Sequence, residues 1–262
     1  DSKRIFSHVI DTRKVKVAPP LVQHLPTDGS IRPIIIDPER RVAFAGDEHI
    51  EAWQPIAIDC ESGIVQRADH PPCPMFYPPY NGLLNAGCGW WDADNQHAYF
   101  ISLERGSNAA RLIKFDTYSG AVQVLIDENP NYPIKLIPDS LLKTMTFAIQ
   151  ESDELVWYSE SSGWAHLYLH ELSTGKLTRA ITQGSWLVRN VLRFDAKRRE
   201  LWIQTAGRKP NSNPYYCDIC RVNIDTGELT EIIASDDEYV VFDQRSRISM
   251  MHSPTALGVS PS

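Results

Sequence analysis

The sequence predicts an all-β fold, a β-propeller built from four-stranded antiparallel blades. Three observations predict it. A five-residue turn recurs four times at near-constant spacing. Aromatic-rich strands recur ahead of the last three copies of that turn. The chain carries 18 prolines in 262 residues and no segment with an amphipathic helical period, as expected of many short strands joined by turns.

The turn is an acidic or amide residue, two variable residues, Ser or Thr, then Gly. Its copies are Asp59–Gly63 (DCESG), Asp116–Gly120 (DTYSG), Glu171–Gly175 (ELSTG) and Asn223–Gly227 (NIDTG). The glycines lie 57, 55 and 52 residues apart. A period of this length marks a stacked or circular array of β units. Glycine supplies the positive φ of a hairpin turn, where a residue with a Cβ is strained. The Asp, Glu or Asn four residues earlier accepts hydrogen bonds from loop amides. Apolar strands flank each copy, such as Ile56-Ala57-Ile58 before the first and Ala121-Val122-Gln123-Val124-Leu125 after the second.

The aromatic strands are Ala98–Ile101, Leu155–Tyr158 and Leu201–Ile203. Polar reversals precede them at Asp92–Asn95, Glu151–Asp153 and Asp195–Arg198, and a further strand precedes each reversal, clearest at Trp186–Leu192. Each period therefore reads strand, turn, aromatic strand, loop, strand, Gly turn, strand. Four strands in about 50 residues make a propeller blade. The chain holds about four to five such blades, an incomplete ring. Exposed blade edges invite association, so the expectation is missing residues, an edge covered by another chain, or a chain prone to form a homodimer.

Composition bounds the function. With 26 basic and 33 acidic residues the net charge is −7, and the charges are scattered, which argues against nucleic acid or an anionic membrane as partner. No apolar run approaches the ~18 residues of a membrane span. No basic-then-apolar signal segment opens the chain. The acidic balance and scattered thiols suit cytoplasm or periplasm. Cys60, Cys73, Cys88, Cys217 and Cys220 are too few and too spread for a disulfide framework. Cys217 and Cys220 have CxxC spacing, but on a strand residues three apart face opposite ways, so neither a metal nor a redox role is expected.

Residues Leu155–Asp225 carry more than periodicity. The runs Trp157-Tyr158-Ser159-Glu160, Gly163-Trp164-Ala165-His166-Leu167-Tyr168 and Thr174-Gly175-Lys176-Leu177-Thr178 are followed by Ile181-Thr182-Gln183-Gly184-Ser185-Trp186, Ala206-Gly207-Arg208, Asn213-Pro214-Tyr215-Tyr216 and Arg221-Val222-Asn223. In order and spacing this stretch resembles the N-terminal β-propeller of dipeptidyl peptidase IV-like serine peptidases, in the prolyl oligopeptidase superfamily. The match is looser at Gly46–His49 and Trp91–Gly120, and Tyr239–Pro254 resembles the last propeller strands. The resemblance implies an eight-bladed ring followed by an α/β-hydrolase domain.

Two departures limit what the resemblance carries over. The chain has no G-x-S-x-G elbow; Gly258-Val259-Ser260-Pro261 lacks the second Gly. It also has no Glu-Glu pair, which in the family binds the substrate's free amine. Residues 1–262 thus read as the C-terminal part of a propeller with no hydrolase domain, and no catalytic, cofactor or metal residue is assigned. The implied role is non-catalytic: gating and positioning peptides for the hydrolase domain of the same protein, a dipeptidyl aminopeptidase. The alternative is a free-standing module binding a protein or peptide. Catalysis by this chain alone is not expected.

Single residues complete the reading. Asp47-Glu48-His49 reads as a solvated loop rather than a metal site. His166 reads as a structural histidine hydrogen-bonded within its blade. Trp90 and Trp91 are strand neighbours and point to opposite faces. The Asn129–Ser140 loop, rich in Pro and apolar residues, is a candidate peptide contact.

Overall fold

Alternation of buried and exposed positions turns the predicted runs into antiparallel ladders. The computed structural model describes residues 3–18, 21–22, 28, 35–36, 41–74, 87–135, 144–233, 238–244 and 247–253, with backbone alone for 21–22, 35–36, 238–244 and 247–253. The strands are β1 (Arg4–Asp11), β2 (Leu21–Val22), β3 (Ile35–Ile36), β4 (Ala52–Asp59), β5 (Val65–Arg67), β6 (Cys73–Pro74), β7 (Gly89–Trp91), β8 (His97–Leu103), β9 (Ala110–Asp116), β10 (Val122–Glu128), β11 (Phe147–Ile149), β12 (Glu154–Ser159), β13 (His166–Glu171), β14 (Leu177–Ala180), β15 (Leu187–Asp195), β16 (Glu200–Ala206), β17 (Cys217–Asn223), β18 (Leu229–Ile233), β19 (Glu238–Gln244) and β20 (Arg247–Ser253). The described helical structure is one 3-10 turn, Gln150–Ser152.

Four four-stranded sheets follow in chain order, the open run of an incomplete propeller. Sheets 2, 3 and 4 are β7-β8-β9-β10, β11-β12-β13-β14 and β15-β16-β17-β18, each a meander as the period predicted. The hairpin β19-β20 follows. Sheet 1 departs from the pattern. Its β1 pairs with β4 over all eight residues, across the long segment that holds the β2-β3 ladder. Its outer edge is split into β5 and β6, which both pair with β4. The sequence reading did not include β1, because no reversal and no neighbouring strand mark it.

Each predicted Gly turn closes a hairpin the same way. The glycine amide donates to the carbonyl of the turn's first residue at 2.8–2.9 Å, with glycine φ between 71° and 88°. Asp59, Asp116 and Asn223 accept from loop amides through Oδ1, as expected. Glu171 does not. Its longer side chain takes the Thr174 hydroxyl, and the Ser173 amide goes instead to Asp153 Oδ1.

A second regularity ties the two turns at this end of each sheet. The amide of the turn's second residue donates to the carbonyl just before the aromatic strand: Cys60 to Lys3, Thr117 to Gln96, Leu172 to Asp153 and Ile224 to Arg199, at 2.8–3.1 Å. Of the accepting residues, Asp153 and Arg199 have positive φ, as does Asn95 just before Gln96.

Apolar side chains fill the gaps between sheets. Phe6 of sheet 1 meets Phe115 of sheet 2 at 6.3 Å between ring centres, and Trp53 meets Phe100 edge-on at 5.9 Å. Leu155 and Trp157 of sheet 3 join the same cluster. A second cluster, with Leu167, Ile181, Leu201 and Val222, fills the gap between sheets 3 and 4. Burying side chains of this size contributes about 1.5–3 kcal/mol each. Polar ties cross the gaps too. Glu128 at the end of β10 accepts from Trp157 Nε1 at 2.9 Å and Ser159 Oγ at 2.6 Å. Arg199 pairs with Glu154 of sheet 3 at 2.9 Å and with Asp225 of its own sheet at 2.7 Å.

Candidate functional site

The first strands of sheets 2 and 3, β7 and β11, lie on either side of a groove of about 460 Å³. Its lining includes Gly89, Trp90, Thr144, Phe147, Gln150 and Glu151. Strand alternation explains how Trp90 reaches it. Trp91 turns toward sheet 1 and meets Phe6 edge-on at 6.1 Å. Trp90 therefore faces the other way, stacked on Tyr99 at 5.6 Å with 22° between planes. The two rings do take opposite faces, but both faces are gaps between sheets, so Trp90 becomes a wall of the groove.

The indole Nε1–H of Trp90 is buried and has no hydrogen-bond acceptor. Such a donor carries a desolvation penalty of about 1–3 kcal/mol until an acceptor arrives. Gln150 closes one end by donating to the Trp91 carbonyl. Glu151 stands exposed beside it. The set offers one donor, one carboxylate and apolar walls. That suits holding an extended segment, with Trp90 reaching a carbonyl and Glu151 a cationic group. It offers no nucleophile with an adjacent base. Sequence reasoning put Trp90 and Trp91 on opposite faces without saying which ring lies where, because nothing local shows that β7 and β11 stand apart.

His166 is placed as the sequence suggested. It is buried on β13, with Nδ1 3.0 Å from Thr182 Oγ1 and Nε2 3.0 Å from the Gly184 carbonyl. The Gly184 carbonyl can only accept, so Nε2 carries a proton, and the Thr182 hydroxyl, whose oxygen also accepts from the Leu167 amide at 3.0 Å, can donate to Nδ1. The ring is then neutral, with its proton on Nε2 donating to Gly184. Burial lowers its pKa, in accord with that state. Trp186 packs edge-on against the ring at 4.8 Å, and Arg208 lies over Trp186 at 6.0 Å. Arg208 continues to Glu231 at 2.7 Å. The motif residues His166, Thr182, Gly184, Trp186 and Arg208 thus form one brace joining sheet 3 to sheet 4.

The other singled-out residues have local partners. Asp47 pairs with Lys16 at 2.5 Å and accepts from the Phe44 amide at 2.9 Å, closing its own loop. Cys220 is buried beside Thr205, while Cys217, three residues away on β17, faces the opposite side. None of the five cysteines, all described, is joined in a disulfide. Of the Asn129–Ser140 loop, residues 129–135 are described: Ile134 is buried, its amide donates to the Ser107 carbonyl, and Tyr132 donates to the Glu160 carbonyl at 2.7 Å. The rest of that loop and Gly258–Pro261 lie outside the described residues. Asp92 and Asp94, in the predicted reversal, and His97 bring one oxygen or nitrogen each within 4.8 Å of one another. Each already has protein partners: Asp92 holds Tyr99 and Lys114, and Asp94 holds His97.

The family model of the dipeptidyl peptidase IV N-terminal region matches residues 87–255. The chain belongs to that family. The matched span begins beside the groove, takes in sheets 2 to 4 and the His166 brace, and leaves sheet 1 ahead of it. Among curated relatives, dipeptidyl peptidase 4 of Trichophyton equinum is 21% identical over 155 residues, and that of Arthroderma otae 22%. Each alignment covers 59% of this chain and 19% of the relative. Among solved structures, a putative dipeptidyl aminopeptidase IV from Bacteroides ovatus superposes with a TM-score of 0.62 at 17% identity, covering 91% of this chain and 33% of that one. Porphyromonas gingivalis dipeptidyl peptidase 4 superposes at 0.66 with 14% identity, covering 90% and 30%. At these identities the structures show a shared fold, and the chain spans a minor part of its relatives' length.

Proposed function

We propose that residues 1–262 are one partial propeller domain that gates and positions peptides for a separate α/β-hydrolase domain of the same protein, a serine-type dipeptidyl aminopeptidase. The observation that carries this reading is the family match over 87–255, in a chain whose sequence has no nucleophile elbow. The groove between β7 and β11 is the peptide contact in this reading. Trp90 Nε1 donates to a peptide carbonyl and Glu151 attracts a basic group. The hydrolase supplies the chemistry, and this chain supplies orientation.

The test compares this chain with a longer natural form carrying a G-x-S-x-G downstream, using aminoacyl-proline chromogenic peptides. The expected result is turnover by the longer form and none by the 262-residue chain. Trp90→Phe and Glu151→Gln in the longer form should raise KM with little change in kcat, the mark of lost uniform binding. Turnover by this chain alone overturns the reading. A native protein that binds peptides with no hydrolase partner would favour a free-standing module instead.

A further inference from the structure

The groove between β7 and β11 is aromatic on both sides and charged at one point. Trp90 of β7 and Phe147 of β11 line it, and every described lining residue is uncharged except Glu151. Glu151 stands exposed on the 3-10 turn that follows β11. Among the described residues its carboxylate has no hydrogen-bond or ion-pair partner. The two walls are tied where Gln150 donates to the Trp91 carbonyl. Trp90 and Glu151 each lie one residue from that bond, which fixes the indole donor and the carboxylate relative to each other.

The surroundings of this end are acidic. Tyr99, on which Trp90 stacks, donates to Asp92 Oδ2 at 2.9 Å. Burial pushes the Tyr99 phenol pKa up, and the carboxylates of Asp92, Asp94 and Asp153 push it further. Two of the three are answered: Lys114 lies 3.0 Å from Asp92, and the His97 ring bonds Asp94 at 2.5 Å. Asp153 takes the Ser173 amide and hydroxyl, which are neutral. Asp153 and Glu151, two residues apart, therefore leave uncompensated negative charge at this end of the groove.

We propose that the groove selects peptides by a basic side chain, Lys or Arg, whose stem lies along Trp90 and Phe147 while its head group pairs with Glu151. The inference rests on the reading of this groove as the peptide contact, and adds which residue of the peptide it prefers. The N-terminal ammonium of a peptide carries the same charge. Only the side chain also brings methylenes to cover two aromatic walls. A cation against the ring faces gains a further attraction. The buried Trp90 Nε1–H is left for a backbone carbonyl of the same peptide.

Calorimetric titration of the 262-residue chain with peptides Ala-Ala-Xaa-Pro-Ala-Ala, N-acetylated and free, tests it, with Lys, Arg, norleucine or Glu as Xaa. Among the acetylated peptides, Lys and Arg should bind about three- to tenfold more tightly than norleucine, the gain of an exposed ion pair and a ring contact. Glu should bind least well, and high salt should shrink the differences. Glu151→Gln, at an exposed position, should bring Lys and norleucine to equal affinity, and Glu151→Lys should make Glu the preferred residue. Trp90→Phe should weaken all four peptides alike. Equal affinity for Lys, norleucine and Glu in the wild type overturns the proposal and leaves the groove a peptide contact of another preference. A Lys preference untouched by Glu151→Gln overturns it too. Tight binding that requires a free N-terminus whatever Xaa is hands Glu151 to the terminal ammonium and overturns it as well. Binding of none of the peptides overturns the proposal and the peptide reading together.

Discussion

Gly175 lies against the backbone of Leu125 on the neighbouring sheet, so close that a Cβ would sit 2.0 Å from the Leu125 carbonyl oxygen. Its φ of 73° already favours glycine for the hairpin alone. The residue thus does two jobs: it closes the β13–β14 turn and it lets sheet 3 approach sheet 2. Gly120 and Gly227 repeat the arrangement less tightly. This explains why the turn motif keeps its glycine while its inner residues vary.

The two jobs separate by substitution. Gly63→Ala should lose about 1–2 kcal/mol, the strain of a Cβ at positive φ, because no described residue crowds Gly63. Gly175→Ala carries that strain plus an overpacked contact with backbone, about 3–5 kcal/mol together. Urea unfolding of both variants gives the comparison. Equal losses would show that the Leu125 contact does not constrain the position.

Glu128 offers a test of the polar tie between sheets 2 and 3. It accepts from Trp157 Nε1 and Ser159 Oγ, both on β12. Glu128→Ala strands two partly buried donors and should destabilise by about 2–6 kcal/mol, at 1–3 kcal/mol for each donor left unpaired. Glu128→Gln keeps one acceptor oxygen and should lose less than half of that. Thermal unfolding distinguishes them; equal effects would mean that the charge, not the acceptor geometry, matters.

The repeat was legible because its turns are local. A positive φ, a capping side chain and an αβ-free alternation all act within a few residues, so Asp116–Gly120 announces itself in sequence. β1 was not legible, because its partner β4 lies beyond a long insertion and no turn chemistry links them. The groove was not legible either. Trp90 and Phe147 are on different sheets, and only the packing of those sheets decides whether a tryptophan is core or wall. His166 sits between these cases. Its burial followed from apolar neighbours, but its partners Thr182 and Gly184 come from the loop after β14.

Arg199 combines an unusual backbone with two ion pairs. Its φ is 54°, and its guanidinium bridges Glu154 and Asp225. Arg199→Ala keeps the backbone strain and loses both pairs, which are partly open to solvent and together contribute about 1 kcal/mol. Arg199→Gly loses the same pairs but relaxes the left-handed backbone, so it should be the more stable of the two variants. Chemical denaturation at low and high salt checks both points: the wild type should lose its advantage over Arg199→Gly as salt screens the pairs. If Arg199→Ala proves the more stable, the backbone at this turn is not strained.

Acid should unfold the chain through its histidines. Burial lowers the pKa of His8, His70, His166 and His170 below the ordinary value of 6.5. Between each lowered pKa and 6.5 the unfolded chain binds more protons than the folded one. The stability these neutral rings contribute is therefore complete above pH 6.5 and is lost as pH falls through and below it. The slope approaches ~1.4 kcal/mol per pH unit for each histidine fully engaged. His166 is the clearest case, because a proton on Nδ1 would reverse its bond to Thr182 and turn that hydroxyl's proton away from the ring, in a buried site. Unfolding free energies measured from pH 7.5 down to about 5 should decline, and His166→Gln, less stable at neutral pH, should decline less steeply. A wild-type profile that is flat or rises toward acid would refute the neutral assignment of these rings.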